Sequence, residues 1–413
     1  MKKQFLILNA LLIAVVLLVG ISSCKKSSST TSFALSSLKA GTIDMNGATA
    51  PTNIPTNPTI SAGFTVAVTA SSVTSSTVTL VRNYDGAVIP LILSVTGSTI
   101  TIAPTEDLGG GALYKLSFKT GITSTDGQSL GAFDRTFTTV GTFVPSGMIA
   151  YYSFESTTAD VLNHYNPMAG GVIDITYAAS YSANAGMAAK FNGATSLIEI
   201  PNGDNIELTN DFTVAFWVMA DSSKHGQFVM GLAGWYGFQF EIAGDYAWCK
   251  LAAQYATDTL PHSASQDLWF PGDGKTKDNG GWKGWTFCKD LTGSGGVAYL
   301  LKNKWAHVVC RYTAATKLAT MYINGEKVKE QDYNLYDSPM THTTGLVYNG
   351  AVGNNTFVFG FIQDRTNPTI GDAWADYSNP ANNHFKGMLD NVRIFHKSLT
   401  EQEIQLMYNS EKL

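Results

Sequence analysis

The sequence predicts an all-β protein of two successive β-sandwich units that ends in one short helix. Short runs rich in β-branched and aromatic residues recur between turns across residues 33–140, a spacing typical of small sandwiches. Near the other end, residues 390–395 alternate between two faces, as a strand in a sheet does. Thr400 and Glu403 then supply a capping box, and Leu399 and Ile404 a hydrophobic staple, so a helix follows this strand directly.

Residues 1–23 have the pattern of a secretory signal. Lys2 and Lys3 precede an apolar run over residues 5–19, which is short for a membrane span and suits a signal peptide. The run is followed by Ile-Ser-Ser-Cys and resembles a bacterial lipobox, in which cleavage exposes Cys24 for lipidation. The alternative is a plain secretory signal or membrane anchor with a chance cysteine.

A flexible tether is predicted for residues 24–32, because this segment is rich in Ser and Thr and cannot bury apolar surface. The resemblance implies a Bacteroidetes-type lipoprotein of the cell envelope, anchored to the outer membrane through the lipid. Surface-exposed lipoproteins of such bacteria often carry acidic residues after the cysteine, whereas Lys25 and Lys26 stand here. The sequence therefore leaves open which face of the membrane the protein occupies.

The composition argues against a nucleic-acid partner. The formal net charge is −5 at pH 7, so no basic face is implied. Charged residues make up only 14% of the chain, against roughly a quarter in ordinary soluble domains. Gly, Ser, Thr, Asn and Tyr supply much of the surface instead. Such a surface suits an extracellular protein that binds uncharged, hydroxyl-rich ligands.

The first unit, residues 33–140, resembles a bacterial Ig-like domain. The strands expected from β-rich runs are residues 64–68, 77–81, 88–95, 99–102, 113–118 and 133–138. In the domains it resembles, an Asp-Gly pair marks the last hairpin and a Phe-Thr-Thr run the final strand, here Asp126 and residues 137–139. We interpret this unit as a spacer, with partner binding as the alternative, and residues 141–147 as a linker.

The second unit, residues 148–413, carries a series of motifs in a characteristic order. They are residues 151–155, 191–200, the run Phe-Thr-Val-Ala-Phe-Trp-Val at 212–218, residues 305–309, residues 321–326 with an Asn-Gly hairpin, and the final strand and helix. Together they resemble laminin-G-like, concanavalin-A-like jelly-roll domains. The resemblance implies a jelly-roll sandwich with a short C-terminal helix. It implies little about function, because lectins, adhesion modules and enzymes share this architecture.

A segment over residues 219–301 is rich in aromatic residues interleaved with amides and charges. Its candidate ligand-binding residues are Trp235, Tyr236, Trp248, Trp269, Trp282 and Trp285, joined by Trp374 from a later loop. Sugars present flat C–H faces and hydroxyl edges, so rigid rings beside polar groups suit them. The alternative is that these rings form a small core of their own.

The cysteines suggest one disulfide. Lipidation of Cys24 would leave three cysteines in an oxidising compartment. Cys310 lies on a strand face with Val308 and is expected to be a small buried residue. We predict a bridge between Cys249 and Cys288, which share one stretch rich in Gly and aromatic residues. Zinc is disfavoured because no paired Cys or His spacing accompanies them.

The jelly-roll resemblance also implies one structural calcium ion, held by carboxylates of the first and last strands. By position the matching residues are Asp390 and Glu155, followed by Asp160. Asp390 alternates in phase with Val392 and Ile394, so its carboxylate is expected to point inward. The alternative is that Asp390 accepts backbone N–H groups at the start of the strand.

Enzyme signatures are missing from the sequence. Jelly-roll glucanases carry Glu-x-Asp-x-x-Glu on one strand, and here Glu241 and Asp245 are the nearest pair, with the wrong spacing. The sequence has no Gly-x-Ser-x-Gly and no His-Glu-x-x-His motif. We therefore predict a lipid-anchored binding protein that is not an enzyme, with a glycan or cell-surface polysaccharide as its partner. A protein-binding adhesion or scaffolding module with envelope partners is the alternative, and a glycoside hydrolase with an unrecognised site is the third hypothesis.

Overall fold

The computed structural model of the chain describes residues 31–351 and 353–412. The predicted signal peptide, Cys24 and residues 25–30 of the predicted tether lie outside these ranges. Within them the chain forms two β-sandwiches and few helices, which confirms the all-β prediction. Among the described residues, no helix has the length and apolar character needed to cross a membrane.

The first sandwich has two antiparallel sheets. Its strands are β1 (Leu35–Ala40), β2 (Ile43–Asp44), β3 (Ile60–Phe64), β4 (Val78–Arg82), β5 (Val88–Ile89), β6 (Leu91–Thr96), β7 (Thr99–Pro104), β8 (Leu113–Phe118) and β9 (Phe133–Thr138). One sheet has the order β2-β1-β3-β7-β6 and the other β5-β4-β8-β9. Tyr114, Phe118 and Phe137 are among the side chains that fill the core between them. This arrangement confirms the predicted Ig-like β-sandwich.

Two predicted strands of this unit have other limits in the structure. A strand was expected at residues 64–68, whereas β3 ends at Phe64. Ile60, Ala62 and Phe64 alternate into the core, but the small residues between them hide that pattern from a search for bulky β-formers. The run expected at residues 88–95 divides at Pro90, which has no N–H to continue a ladder, so β5 and β6 join different sheets.

The second sandwich contains seventeen strands and three helices of the described residues. The strands up to the middle of the unit are β10 (Met148–Tyr152), β11 (Val172–Ile173), β12 (Thr176–Ala179), β13 (Met187–Asn192), β14 (Leu197–Ile200), β15 (Phe212–Ala220), β16 (Gln227–Leu232), β17 (Phe238–Ala243), β18 (Trp248–Thr257) and β19 (Ser263–Phe270). The later strands are β20 (Trp285–Cys288), β21 (Trp305–Thr313), β22 (Leu318–Ile323), β23 (Glu326–Asp332), β24 (Thr343–Leu346), β25 (Phe357–Phe359) and β26 (Lys386–Phe395). The helices are α1 (Gly203–Glu207), α2 (Ala298–Leu301) and α3 (Glu401–Glu411).

These strands form two sheets packed face to face. The nine-stranded sheet has the order β12-β13-β26-β15-β21-β22-β23-β20, with β10 also paired to β26. The eight-stranded sheet has the order β11-β14-β25-β16-β17-β18-β19, with β24 also paired to β18. Phe216 and Phe240 meet between the sheets with ring centroids 5.0 Å apart. The crossovers between distant strands give the jelly-roll sandwich that the sequence predicts.

Two local predictions in this unit are confirmed. Asn324 and Gly325 join β22 to β23 with φ angles of 54° and 78°, the left-handed conformation that a two-residue hairpin needs. At the start of α3, the Glu403 N–H donates to Thr400 Oγ1 at 3.1 Å. The Thr400 N–H in turn donates to Glu403 Oε2 at 2.9 Å, which completes the capping box.

Helix α3 packs between the two sandwiches. Leu399, Ile404 and Met407 are buried with residues of the first sandwich and with the outer face of the nine-stranded sheet. Tyr84 of the first sandwich donates to Glu403 Oε1 at 3.3 Å. In the segment predicted as a linker, the Phe143 N–H donates to Ser410 Oγ at 3.0 Å. The segment that joins the sandwiches is therefore held by α3 rather than free.

The outer face of the eight-stranded sheet has two different halves. Phe361, Ile362 and Ile370 come from the segment after β25 and pack over β14, β25 and β16. On β17, β18 and β19 most outward side chains, apart from small ones such as Ala252, are polar or aromatic, and the alternate residues of these strands fill the core. This second half positions the candidate site.

Candidate functional site

The candidate site lies where the two sheets of the second sandwich meet at one edge. β19 is the edge strand of the eight-stranded sheet, and β20 is that of the nine-stranded sheet. Beside them opens a cavity of about 490 Å³, which we name the edge cavity. Its lining includes Gln266, Asp267, Trp269, Trp282, Trp285 and Tyr336. This volume is in the range of roughly 300–1,000 Å³ that small-ligand sites occupy.

Three tryptophans form the aromatic walls of the edge cavity. Trp269 and Trp285 meet edge to face, with ring centroids 5.5 Å apart and planes at 61°. Trp285 is only 4% exposed, whereas Trp282 is 67% exposed. Trp285 is therefore the fixed inner wall, and Trp282 stands at the rim where a ligand would meet it.

A buried lysine lies behind the inner wall. β23 pairs with β20, and Lys329 of β23 places its Nζ 3.2 Å from the centroid of the Trp285 ring. Burial lowers the pKa of Lys329 to about 8, while the nearby Cys288 and Asp273 act to raise it. Within the described residues Nζ has no hydrogen-bond partner. The Lys329 ammonium group therefore lies over the face of the Trp285 indole, a cation–π contact that helps to orient this ring.

Hydrogen bonds hold the mouth of the edge cavity in place. Lys283 and Asp337 form an ion pair across it. Tyr336 donates to Gln331 Oε1 at 3.2 Å, and Gln331 Nε2 donates to the carbonyl oxygen of Asp267 at 3.0 Å. These bonds tie the loop after β23 to the edge strand β19. The lining of the cavity thus combines residues of the edge strands β19 and β20 with loop residues, and these bonds connect the loop after β23 to the strands.

Next to the edge cavity, five outward residues of β17, β18 and β19 form what we name the outer-face cluster. They are Glu241, Trp248, Lys250, Asp267 and Trp269. Lys250 Nζ lies 3.2 Å from Glu241 Oε1 and 2.8 Å from Asp267 Oδ2, so these two oxygens are at most 6.0 Å apart. Trp248 and Trp269 lie beside this network, with ring centroids 6.2 Å apart. Trp269 and Asp267 belong to both surfaces, which makes them continuous.

Burial and neighbouring charges shift the pKa values of the ionisable residues in the outer-face cluster. Burial raises the pKa of Glu241, and Lys250 partly opposes that rise. Burial also lowers the pKa of Lys250, but Asp267 and Glu241 raise it more, so the net shift is upward. The network is therefore a lysine shared between two carboxylates. Such a network can accept and donate hydrogen bonds to hydroxyl groups.

A second aromatic group lies at the opposite side of this outer face. The ring centroids of Trp235 and Trp374 are 5.3 Å apart, and Trp374 packs 6.1 Å from Phe228 on β16. Trp235 is 45% exposed and Trp374 38% exposed. Trp374 Nε1 donates to Asp372 Oδ2 at 3.2 Å, which fixes its indole. Tyr236 follows Trp235 and packs against the covered half of the face.

The predicted ligand-binding residues thus fall into two groups. Trp248, Trp269, Trp282 and Trp285 gather at β18, β19 and the edge cavity, whereas Trp235, Tyr236 and Trp374 gather beside β16. Their role in binding stays a prediction. Sequence reasoning missed Lys250 and Lys329 as members of the site. The alternation along β18 could have placed Lys250 on the outer face, but the position of Lys329 depends on its pairing with a distant strand.

The predicted disulfide between Cys249 and Cys288 is wrong. Both residues, like Cys310, are free thiols. Cys249 points into the core of the sandwich, where its Sγ lies 3.7 Å from Met321 Sδ. Cys288 lies on the edge strand β20, where its Sγ is 3.7 Å from Asp273 Oδ1. The two cysteines belong to opposite sheets, which sequence proximity did not reveal.

The expected inward orientation of Asp390 is also wrong. Asn391 has a φ of 48°, and the register of β15 against β26 shifts at this point, so a bulge changes the phase of the strand. Leu389 faces the core in place of Asp390, while Val392 and Ile394 face the core as expected. Asp390 lies on the outer face, where Ser180 donates to it and the Asn391 N–H donates at 2.6 Å. Burial raises the pKa of Asp390 to about 7, and the nearby Glu155 adds to the rise.

These residues do not by themselves fit a calcium ion. Calcium takes six to eight oxygen ligands, several of them carboxylates. Both oxygens of Asp160 already accept backbone N–H groups, among them those of Tyr151 and His164 at 2.8 and 2.9 Å. In the described part of the chain, no three His, Cys, Asp or Glu side chains converge on one point. Calcium binding through Asp390 and Glu155 stays a prediction.

Comparison with solved structures gives distant likenesses. The chain is similar to the binding domain of Paraclostridial Mosquitocidal Protein 1, with 15% identity and a TM-score of 0.41 over 64% of this chain and 52% of that chain. It is similar to domain 4 of AbnA, an extracellular arabinanase from Geobacillus stearothermophilus in complex with arabinotriose, with 20% identity and a TM-score of 0.38 over 63% of this chain and 98% of that chain. It is similar to the ligand-binding domain of botulinum neurotoxin serotype D in complex with N-acetylneuraminic acid, with 15% identity and a TM-score of 0.41 over 64% and 51%.

The chain spans about half the length of the mosquitocidal and botulinum domains that it matches. At these identities and TM-scores, none of the three indicates what this chain binds. No curated protein matches the sequence. The model of the bacterial Ig-like domain family matches residues 42–139, which form the greater part of the first sandwich. The N-terminal sandwich is therefore a bacterial Ig-like domain, as its motifs predict.

Proposed function

We propose that the chain is a cell-envelope protein that binds a glycan at the edge cavity and the adjoining outer-face cluster. The observation that carries this proposal is the position of Trp269. Its ring lies beside both Trp248 and Trp285, and Asp267, two residues earlier, joins the network with Lys250 and Glu241. Ring faces and hydrogen-bonding groups thus meet on one surface, which is the combination that a sugar requires.

The exposure of the rings supports the proposal. Trp282, Trp235 and Trp374 remain substantially exposed. Large apolar side chains grouped at a surface and rimmed by polar residues often mark a binding site. The alternative hypothesis is that the tryptophans of this segment form a small core of their own. Of these rings, Trp285 has that structural role. The segment therefore supplies both a support and a binding face.

The experiment is a glycan array probed with the purified protein, compared with its Trp269→Ala variant. We expect retention of one or a few glycans that falls at least tenfold in the variant. Trp305→Ala is the matched control, because Trp305 meets Tyr181 edge to face on the outer face of the other sheet. An array on which no glycan is retained would contradict the proposal and leave the protein-binding alternative.

Glycoside hydrolysis is the second candidate, favoured by one observation. Glu241 and Asp267 have oxygens at most 6.0 Å apart, near the roughly 5–9 Å range that glycosidase carboxylate pairs span. Lys250 Nζ bonds to one oxygen of each carboxylate, however, and lies between them, where a sugar or an attacking water would have to bind. We expect no release of reducing sugar from any retained polysaccharide. Release that disappears in Glu241→Gln would establish hydrolysis instead.

We also propose that Cys24 carries the lipid that anchors this protein to the outer membrane. The sequence of residues 1–32 alone supports this second proposal. The Cys24→Ala variant should neither take up labelled fatty acid nor partition into detergent. A variant that still carries labelled fatty acid would overturn the assignment.

A further inference from the structure

We infer that the ligand is a linear, uncharged polysaccharide chain that lies across the strands β17 to β19, reaches the rings of Trp374 and Trp235 beside the covered β16, and is held along several sugar units. This inference rests on the proposed glycan function and adds the length and the charge of the ligand. It follows from the order of side chains across the outer face and from the pairing of the lysines there.

The register of the sheet places four outward residues in one row. Phe228 on β16 is opposite Glu241 on β17, Glu241 is opposite Lys250 on β18, and Lys250 is opposite Trp269 on β19. Their neighbours along the strands, such as Phe240 and Leu251, fill the core, so the row points outward. With about 4.8 Å between adjacent strands, the row spans about 14 Å. That distance exceeds the width of a single sugar ring.

Aromatic rings stand at both ends of this row. At the β16 end, Trp374 packs on Phe228, and Trp235 packs on Trp374. At the β19 end, Trp269 is followed by the exposed Trp282 of the edge cavity. The hydrogen-bonding network lies between the two ends. Rings at both ends with polar groups between them are suited to a chain that stacks at two points and bonds through its hydroxyls in the middle.

The charges of the row disfavour an acidic sugar. Lys250 is shared between Glu241 and Asp267, so this network carries one more negative than positive charge. Lys283 at the cavity mouth is paired with Asp337. Lys329 lies behind the ring of Trp285. A carboxylate or sulfate on the ligand would therefore meet net negative charge, whereas neutral hydroxyls meet donors and acceptors.

The test is isothermal titration of the whole protein with cello-, xylo- and arabino-oligosaccharides, each from the monosaccharide to the hexasaccharide. For the series that binds, we expect affinity to rise at least tenfold with length and then to level off. Trp374→Ala should lower the affinity for the hexasaccharide at least fivefold and leave the affinity for the disaccharide unchanged. Trp269→Ala should lower both affinities. Trp235→Ala provides a second variant at the same end as Trp374.

Three results would overturn the inference. Equal affinity for the monosaccharide and the hexasaccharide would show a site for a single sugar, and the proposed glycan binding would stand. Tighter binding of polygalacturonic acid than of the neutral polymers would show that the site accepts an acidic polysaccharide. An absence of binding to every sugar would overturn both this inference and the proposed function.

Discussion

The two outer faces of the second sandwich use similar residues in opposite ways. On the nine-stranded sheet, Trp217 donates from Nε1 to Glu411 Oε2 at 2.7 Å, and Glu411 forms an ion pair with Arg393. Helix α3 covers this face, and all three residues are buried. On the eight-stranded sheet, the pair Lys250 and Asp267 keeps side-chain exposures of 19% and 43% beside Trp269.

The two faces differ in whether a helix covers them rather than in the types of residue that they carry. Both faces combine indole rings with ion pairs, so residue type alone does not separate a structural cluster from a binding surface. Under α3, the ion pair and the ring are enclosed and hold the helix. Beside β19, the same groups remain open to a ligand. The following predictions test this contrast and the internal packing on which it depends.

The largest effect is expected from Glu411→Gln. The change keeps an acceptor for Trp217 but leaves the buried Arg393 without its counter-charge, and removal of one partner from a buried pair costs about 3–5 kcal/mol. Urea unfolding measures the loss, and Glu401→Gln is the control, because Glu401 is exposed on the same helix. A loss below about 1 kcal/mol would show that α3 is not held by this pair.

Trp285→Ala is expected to destabilise the fold by about 3 kcal/mol, as removal of a buried ring does. The same change exposes Lys329 to the cavity that it leaves. The measurement is the free energy of unfolding from urea denaturation. A variant with unchanged stability and lost glycan retention would instead place Trp285 among the rings that contact the ligand.

Because His307 is buried, we expect the free energy of unfolding to depend on pH below the usual pKa of histidine. Burial lowers the pKa of His307 to about 3, so the folded state keeps the ring neutral. The unfolded state takes up a proton below about pH 6.5, so stability falls as the pH drops from about 6.5 to 3, by at most about 1.4 kcal/mol per pH unit. His307→Phe should flatten this part of the curve, while the exposed His225→Gln should not. An unchanged slope in His307→Phe would contradict the assignment.

The smallest effect is expected from reducing agents. Because Cys249 and Cys288 are free, a reductant should leave the melting temperature unchanged. A thiol assay on the unfolded protein should give the same count with and without prior reduction. A melting temperature that falls by several degrees on reduction would restore the disulfide hypothesis.

The sequence predicted the parts of the fold that depend on neighbouring residues. The run at 212–218, the Asn324–Gly325 turn and the Thr400 capping box act over short distances, and the structure confirms them. The orientation of Asp390 was predicted wrongly, because a bulge at Asn391 depends on the pairing with β15. The disulfide was predicted wrongly, because closeness in the chain did not reveal that Cys249 packs against Met321 in the core while Cys288 lies beside Asp273.

For the candidate site, the sequence predicted which aromatic residues belong to it but not how they are arranged. Its tryptophans were identified by their density, but their division between two ends of one face depends on the strand order. The pairing of Lys250 with Glu241 and Asp267 depends on register across three strands. Position, rather than residue type, separates Trp285, a buried support on β20, from Trp282, an exposed rim residue in the loop before that strand.

The most direct test compares Trp282→Ala with Trp217→Ala, which remove the same ring from the open and the covered region. Retention on the polysaccharide selected by the array and the melting temperature are measured for both. We expect Trp282→Ala to lose about 1–3 kcal/mol of binding with little change in melting temperature, and Trp217→Ala to lose about 3 kcal/mol or more of stability. Full retention by Trp282→Ala, or a melting temperature that falls as far as in Trp217→Ala, would contradict the account.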